Sequence, residues 1–109
     1  MTKRFWAELR SSEFAGLDPN ATVAILPVAS TEQHGPHLPV MTDTAIAEGL
    51  IETVLARLPD DLRVLFLPTQ TIGKADEHLR SGGTITHSAD NLVRSWFEIG
   101  EGVHRAGLR

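Results

Sequence analysis

Two short apolar runs, separated by a helix-like segment, constrain the fold of this chain most strongly. The first run is TVAILPV, Thr22–Val28, and the second is Leu62–Leu67 within LRVLFLPTQT. Continuous apolar runs of this length that contain β-branched residues are typical of strands buried on both faces, as in parallel sheets. Pro27 has no backbone N–H to donate, so we expect it to mark the end of the first strand. The runs predict two strands of a parallel sheet.

Apolar residues spaced by three and four indicate a helix after each strand. Between the strands this spacing predicts an amphipathic helix over Ala45–Leu58, with Thr42 or Thr44 as its N-cap. After the second strand it predicts a helix that is capped by Ser88 and ended by Gly107. The order of elements indicates an α/β fold with a mainly parallel sheet.

Two strands are too few to form a complete parallel sheet. We therefore expect residues 1–109 to be a single domain that forms the N-terminal part of a longer one, with a further strand following Arg109. In this interpretation the fold is a partial, truncated three-layer α/β fold, with helices on both faces of the sheet.

Composition narrows the classes of function. The 109 residues carry a net charge of −4 and no cysteine. Without cysteine, a metal site must use His, Asp and Glu side chains. No basic patch stands out, so a nucleic-acid partner is not expected. The chain shows neither a secretory leader nor an apolar run of membrane-spanning length, and we predict a cytoplasmic protein.

Titratable side chains crowd the exit of the first predicted strand, in the sequence STEQHGPHLPVMTD. Ligands of α/β proteins bind beyond the carboxyl ends of the strands. Glu32 and His34 are two residues apart, so in an extended backbone both side chains point the same way. Asp43 returns at the start of the next helix. One imidazole and two carboxylates suit Zn²⁺, Mn²⁺ or Fe²⁺.

A simpler interpretation of these residues is also open. The E-x-H pattern is short enough to occur by chance, and all three side chains can be solvated loop residues. Asp43 can equally stabilise the positive end of the helix dipole. His37, next to Pro36, is interpreted as a loop residue or as a donor to a metal ligand rather than as a ligand.

The stretch PVASTEQHGPHLPVMTDTAIAEGL resembles the signature of the creatininase (creatinine amidohydrolase) family. A second stretch, TIGKADEHLRSGGTITHSADNL, is similar to the family's glycine-containing second segment. The family's Phe-Pro before Gly-Thr is replaced here by Ser81-Gly82. The chain aligns in order with roughly the first half of a family member.

The resemblance implies a metal-dependent hydrolase of amide or cyclic amide C–N bonds, with a small-molecule amide as substrate. It implies two divalent ions per complete site, Zn²⁺ or Mn²⁺ with Fe²⁺ as a third candidate, and a homo-oligomer, commonly a hexamer. By position, Glu32, His34 and Asp43 match three metal ligands, and Asp43 can bridge two ions. The remaining ligands and the catalytic groups are expected beyond Arg109. His78 would lie near the mouth of the site, although an ordinary loop histidine is an equal interpretation.

Two alternatives remain at the level of the sequence. The chain can be a non-catalytic remnant or half-domain, since the expected downstream motif is absent from the 109 residues. It can also be a relative that cleaves a peptide or a formamide, because the first motif does not distinguish such proteins from creatininases.

Overall fold

A parallel pair of strands forms the centre of the computed structural model, which describes residues 2–109. β1 spans Thr22–Ile25 and β2 spans Arg63–Phe66, and they are paired in parallel along their full length. Outside this pairing, one parallel bridge joins Val28 to Gln70 beyond the strands, and another joins Phe5 to Phe66 of β2. The parallel pairing confirms the α/β prediction. β1 is shorter than predicted because its regular pairing ends before Pro27, as expected for a residue without an N–H.

The two strands differ in burial. Three of the four residues of β2 are buried, and so is Leu67, which follows it. On β1, Val23 remains 54% exposed and Ile25 37%. The prediction that the first strand is buried on both faces is therefore wrong for β1. Within residues 2–109 the sheet has only two strands, and no described element covers the face of β1 that carries these two side chains.

The first helix, α1, spans Thr42–Leu55 and begins three residues earlier than predicted. Its N-cap residue is Met41, whose side chain makes no capping bond. Thr42 does not cap the helix, because its hydroxyl donates backwards to the carbonyl oxygen of Pro39, at 2.6 Å. Thr44 lies inside the helix and is buried. The prediction of a threonine cap is wrong because this hydroxyl acts as a donor to the preceding loop.

The last helix, α2, spans Ala89–Arg105 and has the predicted ends. The Ser88 hydroxyl accepts from the backbone N–H of Asn91, at 3.2 Å, as an N-cap does. Gly107 has φ +99° and donates its N–H to the carbonyl of His104, at 2.9 Å. This left-handed conformation favours glycine just past a helix end. Within residues 2–109 no helix has the length and apolar character needed to cross a membrane.

The segments that follow β1 and β2 meet at one edge of the sheet, because the strands are parallel. The backbone N–H of Ile85 donates to the carbonyl of Thr31 at 2.9 Å, and the Thr31 hydroxyl donates to the carbonyl of Thr71 at 2.7 Å. Ala29 donates to Gln70 at 2.8 Å. These bonds hold the two loops, residues 26–41 and 67–88, against each other. The polar residues singled out in the sequence lie in these loops and at the start of α1.

Candidate metal centre

The three predicted ligands come together at the carboxyl edge of the sheet. Glu32, His34 and Asp43 each offer a ligand atom, and these atoms all lie within 4.8 Å of one another. Nε2 of His34 is 3.1 Å from Oδ1 of Asp43, and both side chains are half-buried. The structure therefore brings the three predicted side chains together.

A tight loop and a helix start produce this arrangement. The backbone N–H of Glu32 donates to the carbonyl of Val40 at 3.3 Å, and His34 and Leu38 form an antiparallel bridge. The loop therefore folds back on itself and leads directly into α1. Asp43 stands in the first turn of α1, where the helix dipole favours a negative charge.

The hydrogen bonds of His34 determine which ring nitrogen can bind a metal. Nδ1 lies 3.1 Å from the backbone carbonyl of Glu32, which can only accept a hydrogen bond. Nδ1 must therefore carry a hydrogen, and in the neutral ring the lone pair is on Nε2, which faces Asp43. The bond to the Glu32 carbonyl is the largest of the effects that raise the pKa of His34 above its ordinary value. Partial burial, the next largest effect, opposes it, and the charge of Asp43 adds a further upward shift.

The chemistry of the cluster suits a divalent ion, and so does the spacing of its His34–Asp43 pair. Two ligand atoms at about 2.1 Å from one ion are roughly 3.0–3.4 Å apart for right-angled to tetrahedral geometry. The separation of 3.1 Å between His34 and Asp43 falls in this range. An imidazole whose far nitrogen is bonded to a backbone carbonyl is the usual form of a metal-ligating histidine.

A second group of side chains adjoins the first. Glu32, Glu77 and His78 also offer ligand atoms within 4.8 Å of one another. Nδ1 of His78 is 3.3 Å from the side-chain nitrogen of Gln33. The family resemblance implies a position for His78 near the mouth of the site, whereas Glu77 and Gln33 were not predicted. In the sequence, only their neighbours could have indicated a role for them: Glu77 precedes His78, and Gln33 lies between Glu32 and His34.

His37 stands apart from both groups. It is exposed, and neither group includes it in the part of the chain that the structure describes. Its ring packs beside Gly35, where an added Cβ would be 3.4 Å from Nδ1. A role for His37 as a donor to a ligand or to substrate stays a prediction.

The sequence profile of the creatininase family, described as creatinine amidohydrolase, matches residues 7–109 of the chain. The chain belongs to the creatininase family. This confirms the resemblance on which the ligand assignment was partly based. The match extends across both polar loops and α2, so it covers all of the residues discussed above.

Two curated relatives and one solved structure support the same family. A mycofactocin precursor peptide peptidase of Mycobacterium tuberculosis is 39% identical over 99 residues, which cover 85% of this chain and 39% of that protein. Its counterpart in Mycolicibacterium smegmatis is 37% identical over 103 residues, covering 93% of this chain and 42% of that protein. A mutant creatininase of solved structure superimposes with a TM-score of 0.78 at 22% identity, over 99% of this chain and 43% of that one.

These comparisons confirm the α/β creatininase fold. The relatives and the family are named as hydrolases of amide or peptide bonds. The chain spans about two fifths of the length of the curated relatives it matches.

Proposed function

We propose that this chain forms the metal-ligating part of a metal-dependent hydrolase that cleaves amide C–N bonds, within a longer creatininase-like domain. The observation that carries the proposal is the cluster of Glu32, His34 and Asp43, in which Nδ1 of His34 bonds to the Glu32 carbonyl and Nε2 faces Asp43. Membership of a family of amidohydrolases supports the reaction class. The remaining ligands and catalytic groups would come from outside the 109 residues.

Each side chain of the cluster has a distinct task in this proposal. Nε2 of His34 and Oδ1 of Asp43 would hold a divalent ion together with a carboxylate oxygen of Glu32. The Glu32 carbonyl keeps the hydrogen of His34 on Nδ1, so the ring does not rotate away from the ion. A bound divalent ion would polarise the amide carbonyl and lower the pKa of a water molecule. Zn²⁺ and Mn²⁺ suit this ligand set, with Fe²⁺ as a third candidate and two ions in the complete site.

A peptide amide is the substrate class that the comparisons favour. The curated relatives named above are peptidases of a precursor peptide, and they are more similar to this chain than the creatininase structure is. Creatinine or another small cyclic amide is the second candidate, supported by the family description. A homo-oligomer, a hexamer by family resemblance, and a cytoplasmic location remain part of the proposal.

Metal binding by the 109-residue chain tests the proposal first. Isothermal titration calorimetry of the metal-free chain with Zn²⁺ and with Mn²⁺ should show saturable binding. Asp43→Ala should weaken it by more than 100-fold, since losing even an outer partner of a ligand costs about 10–100-fold. Asp61→Ala is the matched control, because Asp61 is an exposed carboxylate beside the amino end of β2. Equal binding by both variants would reject the assigned ligands, and no saturable binding would favour the non-catalytic half-domain.

The reaction class is tested in a chimera in which these residues replace the matching part of the M. tuberculosis relative. We expect cleavage of a peptide amide that is lost with Asp43→Ala and after chelation of the metal. Hydrolysis of creatinine without peptide cleavage would overturn the substrate class. Full activity after chelation would overturn metal dependence.

A further inference from the structure

Gln33 connects the metal cluster to the second loop. It lies between Glu32 and His34, but its backbone N–H donates to the hydroxyl of Thr84, at 3.0 Å. Its side-chain oxygen accepts the backbone N–H of Gly35. Its side-chain nitrogen is 3.3 Å from Nδ1 of His78. The residue is therefore held by three contacts, two of which cross from the first loop to the second.

These contacts determine the tautomer of His78. The backbone N–H of Gly35 can only donate, so the Gln33 atom facing it must be the amide oxygen. The amide nitrogen then faces His78, and it too can only donate. Nδ1 of His78 must accept this bond and carries no hydrogen, which leaves the ring hydrogen on Nε2. The orientation of the amide follows from its partners and not from the identity of the atoms alone.

Nδ1 of His34 and Nδ1 of His78 therefore have opposite roles, a donor in His34 and an acceptor in His78, and both rings lie within 4.8 Å of a carboxylate oxygen of Glu32. His34 carries a hydrogen on Nδ1, so its neutral ring has the lone pair on Nε2, as a metal ligand requires. His78 accepts at Nδ1 and offers an N–H at Nε2. To ligate a metal through Nε2, His78 would have to move its hydrogen to Nδ1, where it would face the Gln33 N–H. That arrangement would place two donors against each other.

We propose that His78 serves as a neutral hydrogen-bond donor to the substrate's carbonyl oxygen, and that Gln33 is the positioning residue that fixes its tautomer. The half-buried ring of His78 adjoins Glu32, so a substrate carbonyl bound at the metal cluster lies within its reach. A donor directed at an oxygen that gains negative charge stabilises the transition state. The part of this inference that concerns substrate rests on the proposed function, whereas the tautomer of His78 does not.

Nitrogen-15 NMR of the imidazole rings tests the tautomer directly, with no metal and no substrate. At about pH 8.5, where an ordinary imidazole is neutral, His78 of the wild type should show a protonated Nε2 and an unprotonated Nδ1. Gln33→Glu keeps an acceptor for Gly35 but replaces the donor to His78 with an acceptor, so the tautomer should reverse. Gln33→Ala should give a mixture of both forms.

Gln70→Glu and Gln70→Ala are the matched controls, because the Gln70 side chain bonds only locally, to the carbonyl of Pro68. Both should leave the His78 spectrum unchanged, and backbone amide spectra report whether each variant is folded. A wild-type His78 with its hydrogen on Nδ1 would overturn the inference. So would a folded Gln33→Glu variant whose His78 spectrum equals that of the wild type.

Metal titration separates a donor from a ligand. His78→Ala should retain the Zn²⁺ affinity of the wild type within about twofold, whereas His34→Ala should lose it by more than 100-fold, as for the loss of a direct ligand. Loss of affinity in both variants would make His78 a ligand and overturn the inference. If the wild type binds no Zn²⁺, the proposed function fails, and the NMR result still decides the role of Gln33. If the Gln33 variants do not fold, the wild-type spectrum and His78→Ala decide.

In the chimera with the M. tuberculosis relative, His78→Ala should lower kcat with little change in KM, because the donor acts on charge that develops in the transition state. His78→Gln, which retains an N–H donor, should recover part of the lost kcat. A rise in KM alone, with kcat unchanged, would contradict the assigned role.

Discussion

The loops at the carboxyl edge of the sheet differ from the two long helices in how many contacts their residues make with the rest of the chain. In the loops, backbone groups, hydroxyls and the Gln33 amide bond to one another, and Gly73 and Ala75 are buried. The two helices together have two buried residues, Thr44 in α1 and Leu92 in α2. The site is therefore held by contacts within the 109 residues, whereas the helices present most of their surface to solvent.

The exposed surface of the two helices includes large apolar side chains. Ile46 and Leu50 of α1 are 57% and 61% exposed, and Phe97 of α2 is 67% exposed. Between α1, α2 and the end of β1 lies a groove of about 500 Å³, here called the interhelix groove, whose lining includes Val28, Ile46, Leu50 and Trp96. Contiguous apolar surface of this kind is typical of interfaces. The contrast is between loops that are joined by many local hydrogen bonds and helices that leave large apolar side chains exposed.

Substitution of Gly73 tests the loop half of this comparison and has the largest expected effect. A Cβ at Gly73 would lie 2.7 Å from the carbonyl oxygen of Ala29, so Gly73→Ala forces the two loops apart. We expect a loss of about 2–3 kcal/mol in the free energy of unfolding, as for overpacking a tight interior. Urea denaturation followed by circular dichroism measures it.

Gly100→Ala is the matched control in α2. An added Cβ there meets nothing within 4 Å, and alanine favours a helix interior over glycine. The control should stabilise the chain by about 0.5–1 kcal/mol. If Gly73→Ala were as stable as the wild type, the loops would not be packed as tightly as the comparison requires.

Removal of the Ser88 cap tests whether α2 depends on local bonds. Because few side chains of α2 are buried, the hydrogen bond from Asn91 to Ser88 is expected to carry much of the stability of its first turn. Ser88→Ala should lower the free energy of unfolding by about 1 kcal/mol. Ser95→Ala, in the middle of α2 and exposed, should change it little. Equal effects of the two variants would mean that the cap does not hold the helix.

The sequence predicted the parts of the fold and site that follow from neighbouring residues. Glu32 and His34 lie in the loop after the first strand and Asp43 stands at a helix start, so the spacing made a cluster possible, and the family resemblance favoured it over solvated loop residues. The buried second strand and the Ser88 cap follow from equally local patterns. The spacing cannot show that a threonine hydroxyl such as that of Thr42 turns back to a loop carbonyl instead of capping a helix.

Features that join distant residues were not predictable in this way. Gln33 and His78 are 45 residues apart, and nothing in either loop alone indicates their hydrogen bond. The spacing of apolar residues in α1 predicts an apolar face but does not say what covers it. The apolar run of β1 likewise does not say which elements pack on the strand. It predicted burial on both faces, whereas Val23 is exposed in a sheet of two described strands.

A charge placed in the interhelix groove tests the helix half of the comparison. Leu50→Lys should change the free energy of unfolding by no more than about 0.5 kcal/mol, because the side chain is already exposed. It should weaken self-association and the binding of a hydrophobic dye, since the apolar surface is interrupted. Sedimentation velocity and dye fluorescence measure these effects. Glu52→Lys, on α1 but outside the groove, is the control. A large loss of stability in Leu50→Lys would show that the groove is more closely packed than its exposure indicates.

The smallest effect is expected from Glu13, in a third region near the amino terminus, and it depends on pH. The backbone N–H of Arg10 and the ammonium group of Lys3 hold the pKa of Glu13 at about 2, below the ordinary value for a glutamate. A carboxylate with a lowered pKa stabilises the folded state above its unfolded pKa, and this contribution disappears as the pH falls towards its folded pKa. Glu13→Gln should therefore lower the Tm slightly at pH 7.

The difference in Tm between Glu13→Gln and the wild type should shrink as the pH falls from about 4.5 to about 2. Glu101→Gln, an exposed position on α2, is the control for removing one negative charge from the surface. A Tm difference that is the same at every pH would mean that the Glu13 carboxylate is not held by its partners.

Because the pair is exposed, added salt should reduce the effect at pH 7. Salt should leave the Gly73→Ala effect nearly unchanged, since that effect is steric, so the salt dependence distinguishes the exposed ion pair from the close-packed loops.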